Sequence, residues 1–290
     1  IMLIVKGVNL DISFKGGTRI MIETAGEVDP NKAENLVEDA IGEVAVASVM
    51  ETYSSDGNSD ETVYMLRIDV AGNEPLTPQE EDAVKQVLSE NLNVILNSPL
   101  NENSSITPTV GYETLRKSIF AVLISMVLIL LYVSWRFRTI GGFSAAACGI
   151  FALLHDIGVM FGIYIIFGIP LNDIFVSTIL TVIGYSVNDT VIIYDRIREN
   201  TRLMPKSDLG SIINVSIHQS LSRSINTMVT TLIAVVVLLV FSAANNIGSL
   251  IDFSFSLFIG VVTGAYSSIF VAAPLWHLWK EKDRKVIKKA

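Results

Sequence analysis

A single cysteine, Cys148, stands in the 290-residue chain, so neither a disulfide framework nor a multi-cysteine metal site can be built. Charge is scarce as well. Charged residues make up 17% of the sequence, against about 25% in an average soluble domain. With half the residues hydrophobic and a mean hydropathy of +0.50, the chain is too apolar for an ordinary water-soluble enzyme. Disorder of the whole chain is excluded on the same ground, because it needs low hydrophobicity and high net charge. A formal net charge of −8 argues against nucleic acid as a partner, since phosphate binding needs clustered positive charge. There is no Gly-x-x-x-x-Gly-Lys-[Ser/Thr] loop, no His-Glu-x-x-His and no Cys-x-x-Cys. No cofactor and no enzymatic activity are expected. Any work the chain performs must draw on an ion gradient or on a partner.

What the sequence does contain is unevenly placed. Residues 1–110 hold 19 acidic and 6 basic side chains, a net charge of −13. Residues 111–290 hold 10 acidic and 15 basic, a net charge of +5. The second part also carries five apolar runs long enough to cross a bilayer, at 119–135, 143–167, 174–194, 225–242 and 253–279. They are too long and too apolar all round for buried helices of a small soluble domain, and they lack the alternation of barrel strands. The expected fold is a membrane α-helical bundle over 111–280, with a basic tail over 281–290.

The Lys/Arg bias sets the expected orientation. Arg136 and Arg138, then Arg196, Arg198, Arg202 and Lys206, then the tail lie on one side, which is read as cytoplasmic. The opposite loops, Gly168–Asp173 and Ala243–Asp252, hold no Lys or Arg. The acidic 1–110 domain is therefore expected outside a cell membrane. The opening Ile1-Met2-Leu3-Ile4-Val5 reads as the stub of an upstream span, so five spans are visible of an expected six.

Within 1–110 the pattern predicts a strand over Asn9–Phe14, a Gly16-Gly17 turn and a second strand over Arg19–Glu23. Asp29-Pro30 opens a helix to Glu43. Strands follow at Val44–Tyr53 and Thr62–Val70, separated by a polar turn over Ser54–Glu61. Thr77-Pro78-Gln79-Glu80 is a capping box opening a helix to about Leu96, and Ser105–Val110 is extended. The order is approximately β-α-β-β-α-β, a ferredoxin-like α+β unit.

Ionisable groups inside a span are costly and mark function by default. On the third span Thr181, Tyr185, Asn188 and Asp189 fall near one face and are expected to point into the bundle. Arg223 reaches a comparable depth on the fourth span, so an Asp189–Arg223 pair is geometrically plausible. It is either a static salt bridge fixing helix register or a proton site whose acidity Arg223 tunes. His155 and Asp156 sit in mid-span, and adjacent helical residues point about 100° apart, so a direct bond between them is not expected. Ser222, Ser224 and Asn226 make the start of the fourth span polar. Gly158-x-x-x-Gly162 and Gly260-x-x-x-Gly264 read as close-packing motifs. Ser207–Ser220 has the pattern of an amphipathic helix at the interface.

The segment Gly184-Tyr185-Ser186-Val187-Asn188-Asp189-Thr190, continuing through Asp195-Arg196-Ile197-Arg198-Glu199-Asn200, resembles the signature of the SecF family of protein-export membrane proteins. Phe14-Lys15-Gly16-Gly17-Thr18, Arg136-Phe137-Arg138, His155-Asp156, Leu221-Ser222-Arg223-Ser224-Ile225-Asn226 and Gly264-Ala265-Tyr266-Ser267-Ser268 extend the match along the chain. The resemblance implies six spans, kinship to resistance-nodulation-division (RND) transporters and association with SecD. It further implies work beside the SecYEG translocon, YidC/YajC-type accessory proteins, unfolded preprotein and membrane lipid, driven by the proton-motive force. By the same resemblance Asp189 is the proton-carrying carboxylate and Arg223 its basic partner, with a further carboxylate from SecD. One departure stands out: Ser13 replaces the aspartate usual before the Phe of this turn. Two other functions compete with export. One is a proton-coupled RND transporter of small molecules or lipids. The other is an intramembrane aspartyl protease using Asp156 and Asp189, which the absence of a Gly-x-Gly-Asp segment disfavours.

Overall fold

The computed structural model describes residues 9–53, 62–70, 74–245 and 247–287. The expected apolar stub at Ile1–Val5, the polar turn 54–61 and the last residues of the tail lie outside them. The chain divides into two compact units. One joins the N-terminal region up to Ile119 with Gly168–Ile174 and Leu239–Asp252. The other holds Phe120–Phe167, Phe175–Leu238 and the region from Phe253 onward.

The first unit opens on a short helical turn, α1 (Ile12–Lys15), where the alternation of Leu10, Ile12 and Phe14 predicts a strand. Asp11 decides the difference. Its Oδ1 accepts from the Ser13 backbone N–H at 2.9 Å and from Ser13 Oγ at 2.6 Å, which caps a helical turn. Ile12 and Phe14 are buried all the same. Gly16 then takes a positive φ of 83°. A Cβ there would sit 2.7 Å from the backbone N of Pro108, so the Gly16-Gly17 turn is where the start of the first long helix crosses the chain.

Strand β1 (Gly17–Thr24) is followed by α2 (Pro30–Ile41), β2 (Ala45–Tyr53), β3 (Thr62–Val70), α3 (Pro78–Asn91), β4 (Val94–Ile95) and β5 (Glu102–Ile106). The sheet order is β2-β3-β1-β4, all pairs antiparallel, which is the ferredoxin-like arrangement. The last edge is split, because β5 pairs with the first half of β1 and β4 with its end. Asn101 bridges the gap: its Oδ1 accepts from Glu23 N at 2.8 Å and its Nδ2 donates to Ile95 O and Leu96 O. Helix α3 stops at Asn91, short of the expected Leu96, because Leu92 turns extended and is buried in the core. Ile20, Ile22, Leu66 and Ile68 on one sheet face pack with Ala33 and Val37 of α2 and Val84 and Leu88 of α3.

The other sheet face is ionic. Arg19 pairs with Asp69 at 2.5 Å and with Asp11 at 2.9 Å, and Arg67 reaches the same two carboxylates. A short β-bridge adds Leu171: Asp11 N–H donates to Leu171 O at 3.0 Å, and Leu171 N–H to Asn9 O at 2.9 Å. Asn172 Nδ2 donates to Asp252 Oδ2 at 3.0 Å, and Asp252 lies within electrostatic reach of Arg67, Asp11 and Arg19. Two loops that join long apolar helices thus belong to the first unit.

The long helices are α4 (Pro108–Arg136), α5 (Gly142–Phe167), α6 (Asp173–Leu203), α7 (Leu209–Ala244) and α8 (Gly248–Ser267). The last continues through a π turn (Ser268–Ala272) into α9 (Ala273–Ile287). Five spans of membrane-crossing length and apolarity result among the described residues. Two segments differ from expectation. Arg196, Arg198 and Arg202 lie on a continuation of α6 rather than in a loop. Ser207–Ser220 does not form a separate interfacial helix: from Leu209 onward it is the start of α7, which runs unbroken to Ala244.

Of the two Gly-x-x-x-Gly pairs, one packs. A Cβ on Gly260 would collide with the Val182 side chain, and one on Gly264 would sit 3.0 Å from Ser186 Cβ, so α8 lies tightly on α6. Gly158 and Gly162 have nothing within 4 Å of such a Cβ. That pair faces open space instead of a neighbouring helix of this chain. Only 11% of the α4 and α7 spans is buried, against 44% for α6 and 56% for the α8–α9 span, so α4 and α7 are the outward-facing members.

Candidate functional site

Helix α6 carries two successive polar turns. Asp189 is 1% exposed, and neither of its carboxylate oxygens has a hydrogen-bond partner. The Ser224 hydroxyl of α7 is likewise buried without a partner, while the Tyr185 hydroxyl on the preceding turn of α6 meets Thr231 of α7. Buried polar atoms are nearly always satisfied, so the unpartnered Asp189 carboxylate needs an explanation. A carboxylate with no donor must carry a proton or be offset by a cation. Arg223 is the cation within electrostatic reach. Its side chain is exposed, and among the described residues no ion pair joins it to Asp189.

The other residues of the expected polar face fall differently. Thr181 and Asn188 are exposed and Tyr185 is half-buried, so this face borders the chain's own bundle instead of filling it. The Thr181 hydroxyl donates to Ser177 O at 3.0 Å on its own helix. Ser222 and Asn226 are exposed too, while Ser224 between them is buried. Ser224 is therefore the serine of this segment that α7 turns inward.

Asp156 of α5 is the second buried aspartate, also 1% exposed, and it is fully engaged. Its Oδ2 accepts from Ser186 Oγ of α6 at 2.8 Å and from Ser267 Oγ of α8 at 2.9 Å. Its Oδ1 lies 3.3 Å from His155 Nδ1, contrary to the expectation that the two neighbours do not meet. The half-exposed imidazole bends back along the helix because its Nε2 is held 2.8 Å from the Tyr266 hydroxyl of α8. One turn further, Thr190 and Ser268 hydroxyls meet at 2.9 Å where α8 loosens into the π turn. The sequence reading missed Ser186, Ser267 and Ser268 as partners. Their signal is the small-residue stripe around Gly264, which brings hydroxyls of α8 against α6. Among the described residues no group of three or more His, Cys, Asp or Glu could hold a metal ion.

Comparison with known proteins gives this arrangement a lineage. The family model described as protein export membrane protein SecD/SecF, C-terminal, matches residues 85–282. The chain is 33% identical over its whole length to the protein translocase subunit SecF of Petrotoga mobilis, covering 92% of that relative. It is 32% identical to the protein translocase subunit SecDF of Bacillus subtilis, of which it spans 36%. Among solved structures, SecDF of Thermus thermophilus, described as a translocon-associated membrane protein, matches 97% of the chain at a TM-score of 0.78 and 28% identity. Again only 36% of that longer chain is covered. A helical bundle with a ferredoxin-like domain, the signature segment around Asp189 and these full-length matches agree: the chain belongs to the SecF family of protein translocase subunits.

Proposed function

We propose that the chain works with SecD as an accessory subunit of Sec protein export and spends a proton gradient through Asp189. The observation that carries the proposal is the orphaned carboxylate: a buried Asp189 with no hydrogen-bond donor, facing Arg223 at electrostatic range but unpaired. A static register-fixing salt bridge would be closed, with nitrogen and oxygen in contact. The observed gap leaves room for the carboxylate to gain and lose a proton while the guanidinium moves toward or away from it. Thr181, Asn188 and Arg223 form an exposed polar edge on otherwise apolar helices, and such an edge calls for a polar partner. SecD, fused to SecF in the SecDF relatives, is that partner in our reading.

The Lys/Arg bias supports an extracytoplasmic first domain and cytoplasmic ends for α6 and α9 in the cell membrane. In this arrangement a change of protonation at Asp189 shifts α6. The domain then handles emerging preprotein beside SecYEG, with YidC/YajC-type proteins as further neighbours. The decisive experiment is reconstituted export with and without an imposed proton gradient. Asp189→Asn should abolish the gradient-dependent stimulation while SecD still co-purifies. Full stimulation in that variant would refute the proton role.

A further inference from the structure

A cavity of about 730 Å³ opens between the C-terminal half of α6 and the N-terminal half of α7. Four arginines line it, Arg196, Arg198, Arg202 and Arg223, against the two carboxylates Asp195 and Glu199. The carboxylates are already engaged. Glu199 Oε2 holds Arg196 at 2.5 Å, while Asp195 is shared between Arg198 at 2.7 Å and Arg136 at 2.9 Å. Gln219 Oε1 accepts from Arg196 Nε at 2.7 Å and fixes that guanidinium across the cleft. Arg202 and Arg223 have no carboxylate within ion-pair distance among the described residues. The cleft therefore keeps a surplus of two cations at its rim.

Its position is equally specific. On α6 the apolar run ends near Tyr194 and the charged residues begin at Asp195, so the cavity straddles the boundary where a bilayer's hydrocarbon gives way to headgroups. Val191, Ile192 and Leu203 supply an apolar side to the same cavity. We propose that this cavity binds a phosphate ester, the headgroup of an anionic phospholipid, on the unpaired Arg202 guanidinium with Arg196 beside it. Planar guanidinium forks match phosphate oxygens, and a basic pocket between membrane helices at the headgroup level is the setting in which anionic lipids are held. The acyl chains then run along Val191 and Ile192, on the membrane side of the charged residues. An acidic protein segment would match the charge but has no use for that apolar side.

The inference rests on the chain's place in a membrane and not on proton movement at Asp189. The full chain, purified with SecD in mild detergent, is examined by native mass spectrometry for retained lipid. Its melting is followed on titration with phosphatidylglycerol, phosphatidylcholine or inorganic phosphate. Phosphatidylglycerol should be retained and protect, and phosphatidylcholine should not. Arg196→Gln with Arg202→Gln should weaken phosphatidylglycerol about tenfold, the loss of charge-assisted hydrogen bonds. Arg138→Gln, outside the cavity, should change nothing. Arg202→Gln alone, which breaks no internal ion pair, keeps the test open if the double variant does not fold. Protection by inorganic phosphate without protection by lipid supports the phosphate chemistry and assigns its source to the solvent. Unchanged lipid retention in the Arg202 variants, or expulsion of lipid whenever SecD is bound, overturns the proposal; in the latter case the cavity is a protein interface. Export stimulation is read separately, so its loss with lipid still bound concerns Asp189 alone.

Discussion

Asp156 and Asp189 are equally buried, both 1% exposed, and their surroundings are opposites. Asp156 receives donors from three helices: His155 on its own, Ser186 on α6 and Ser267 on α8. Asp189 receives none, although it lies on the same helix as Ser186 and one turn away. Burial alone therefore does not tell the two carboxylates apart. The hydrogen-bond complement does. A carboxylate tied to three helices resists any change that breaks three contacts at once. A carboxylate tied to nothing can change its protonation without rearranging the core.

Stability measurements should break or confirm this contrast most visibly. Asp156→Ala leaves the Ser186 and Ser267 hydroxyls without their acceptor and His155 without its neighbour. Serine hydroxyls can turn back to the carbonyl one turn earlier, and Ser267 already lies 3.3 Å from Gly264 O. The expected loss is thus about 1–3 kcal/mol, below a sum of three full bonds. Asp189→Ala removes no hydrogen bond and should lie within about 1 kcal/mol of the parent. Thermal or denaturant unfolding of the detergent-solubilised chain reads both. Equal losses for the two variants would show that the orphaned carboxylate is in fact a structural element.

The two sites also differ in how far the sequence exposes them. Asp189 and Arg223 stand out because charge inside an apolar run is rare, and their comparable depth follows from helical rise alone. The partners of Asp156 do not stand out. Ser186, Ser267 and Ser268 are small hydroxyls of a kind common in membrane helices, and only the packing of α8 on α6 brings them to the carboxylate. The same limit appears in the first unit. Helix α3 and its capping box are legible, since Thr77 and Glu80 are three residues apart. The strand expected at Asn9–Phe14 becomes a capped turn, because the Asp11 side chain competes with the alternation of its neighbours. Capping signals, the sheet order and charge inside apolar runs were readable; side chains that bend back on near neighbours, as at Asp11 and His155, and the hydroxyl contacts between α6 and α8 were not.

Glycine substitutions sharpen the comparison at the next level of effect, since Gly264 packs α8 at the level of Ser186. Gly260→Ala drives a methyl group into Val182, and neither helix backbone is free to withdraw. It should cost about 1–3 kcal/mol and loosen the hydroxyl contacts around Asp156. Gly158→Ala meets open space and should stabilise the isolated chain by up to about 1 kcal/mol through helix propensity. Combining each with Asp156→Ala makes a double-mutant cycle. Coupling is expected for Gly260 and none for Gly158.

The smallest effect belongs to a carboxylate that is satisfied in water. Glu80 is exposed at the start of α3. Its Oε2 accepts from the Thr77 backbone N–H at 2.8 Å and from Thr77 Oγ1 at 2.8 Å, which holds its pKa below the ordinary carboxyl range. A folded value lowered in this way contributes stability above the unfolded value, about 4.3, and that contribution is lost as the pH falls through the folded value. Glu80→Gln keeps one acceptor and loses the charge. At neutral pH the amide hydrogens of Thr77 and Glu80 should exchange about two- to threefold faster than in the parent. The ratio should fall toward one as the pH is lowered. A ratio that stays constant with pH would mean that the cap is held by the geometry of Thr77 and not by the charge of Glu80. Solvent screens this carboxylate and not Asp156, so the three donors at Asp156 should outweigh the cap by several-fold even though both are made of ordinary hydrogen bonds.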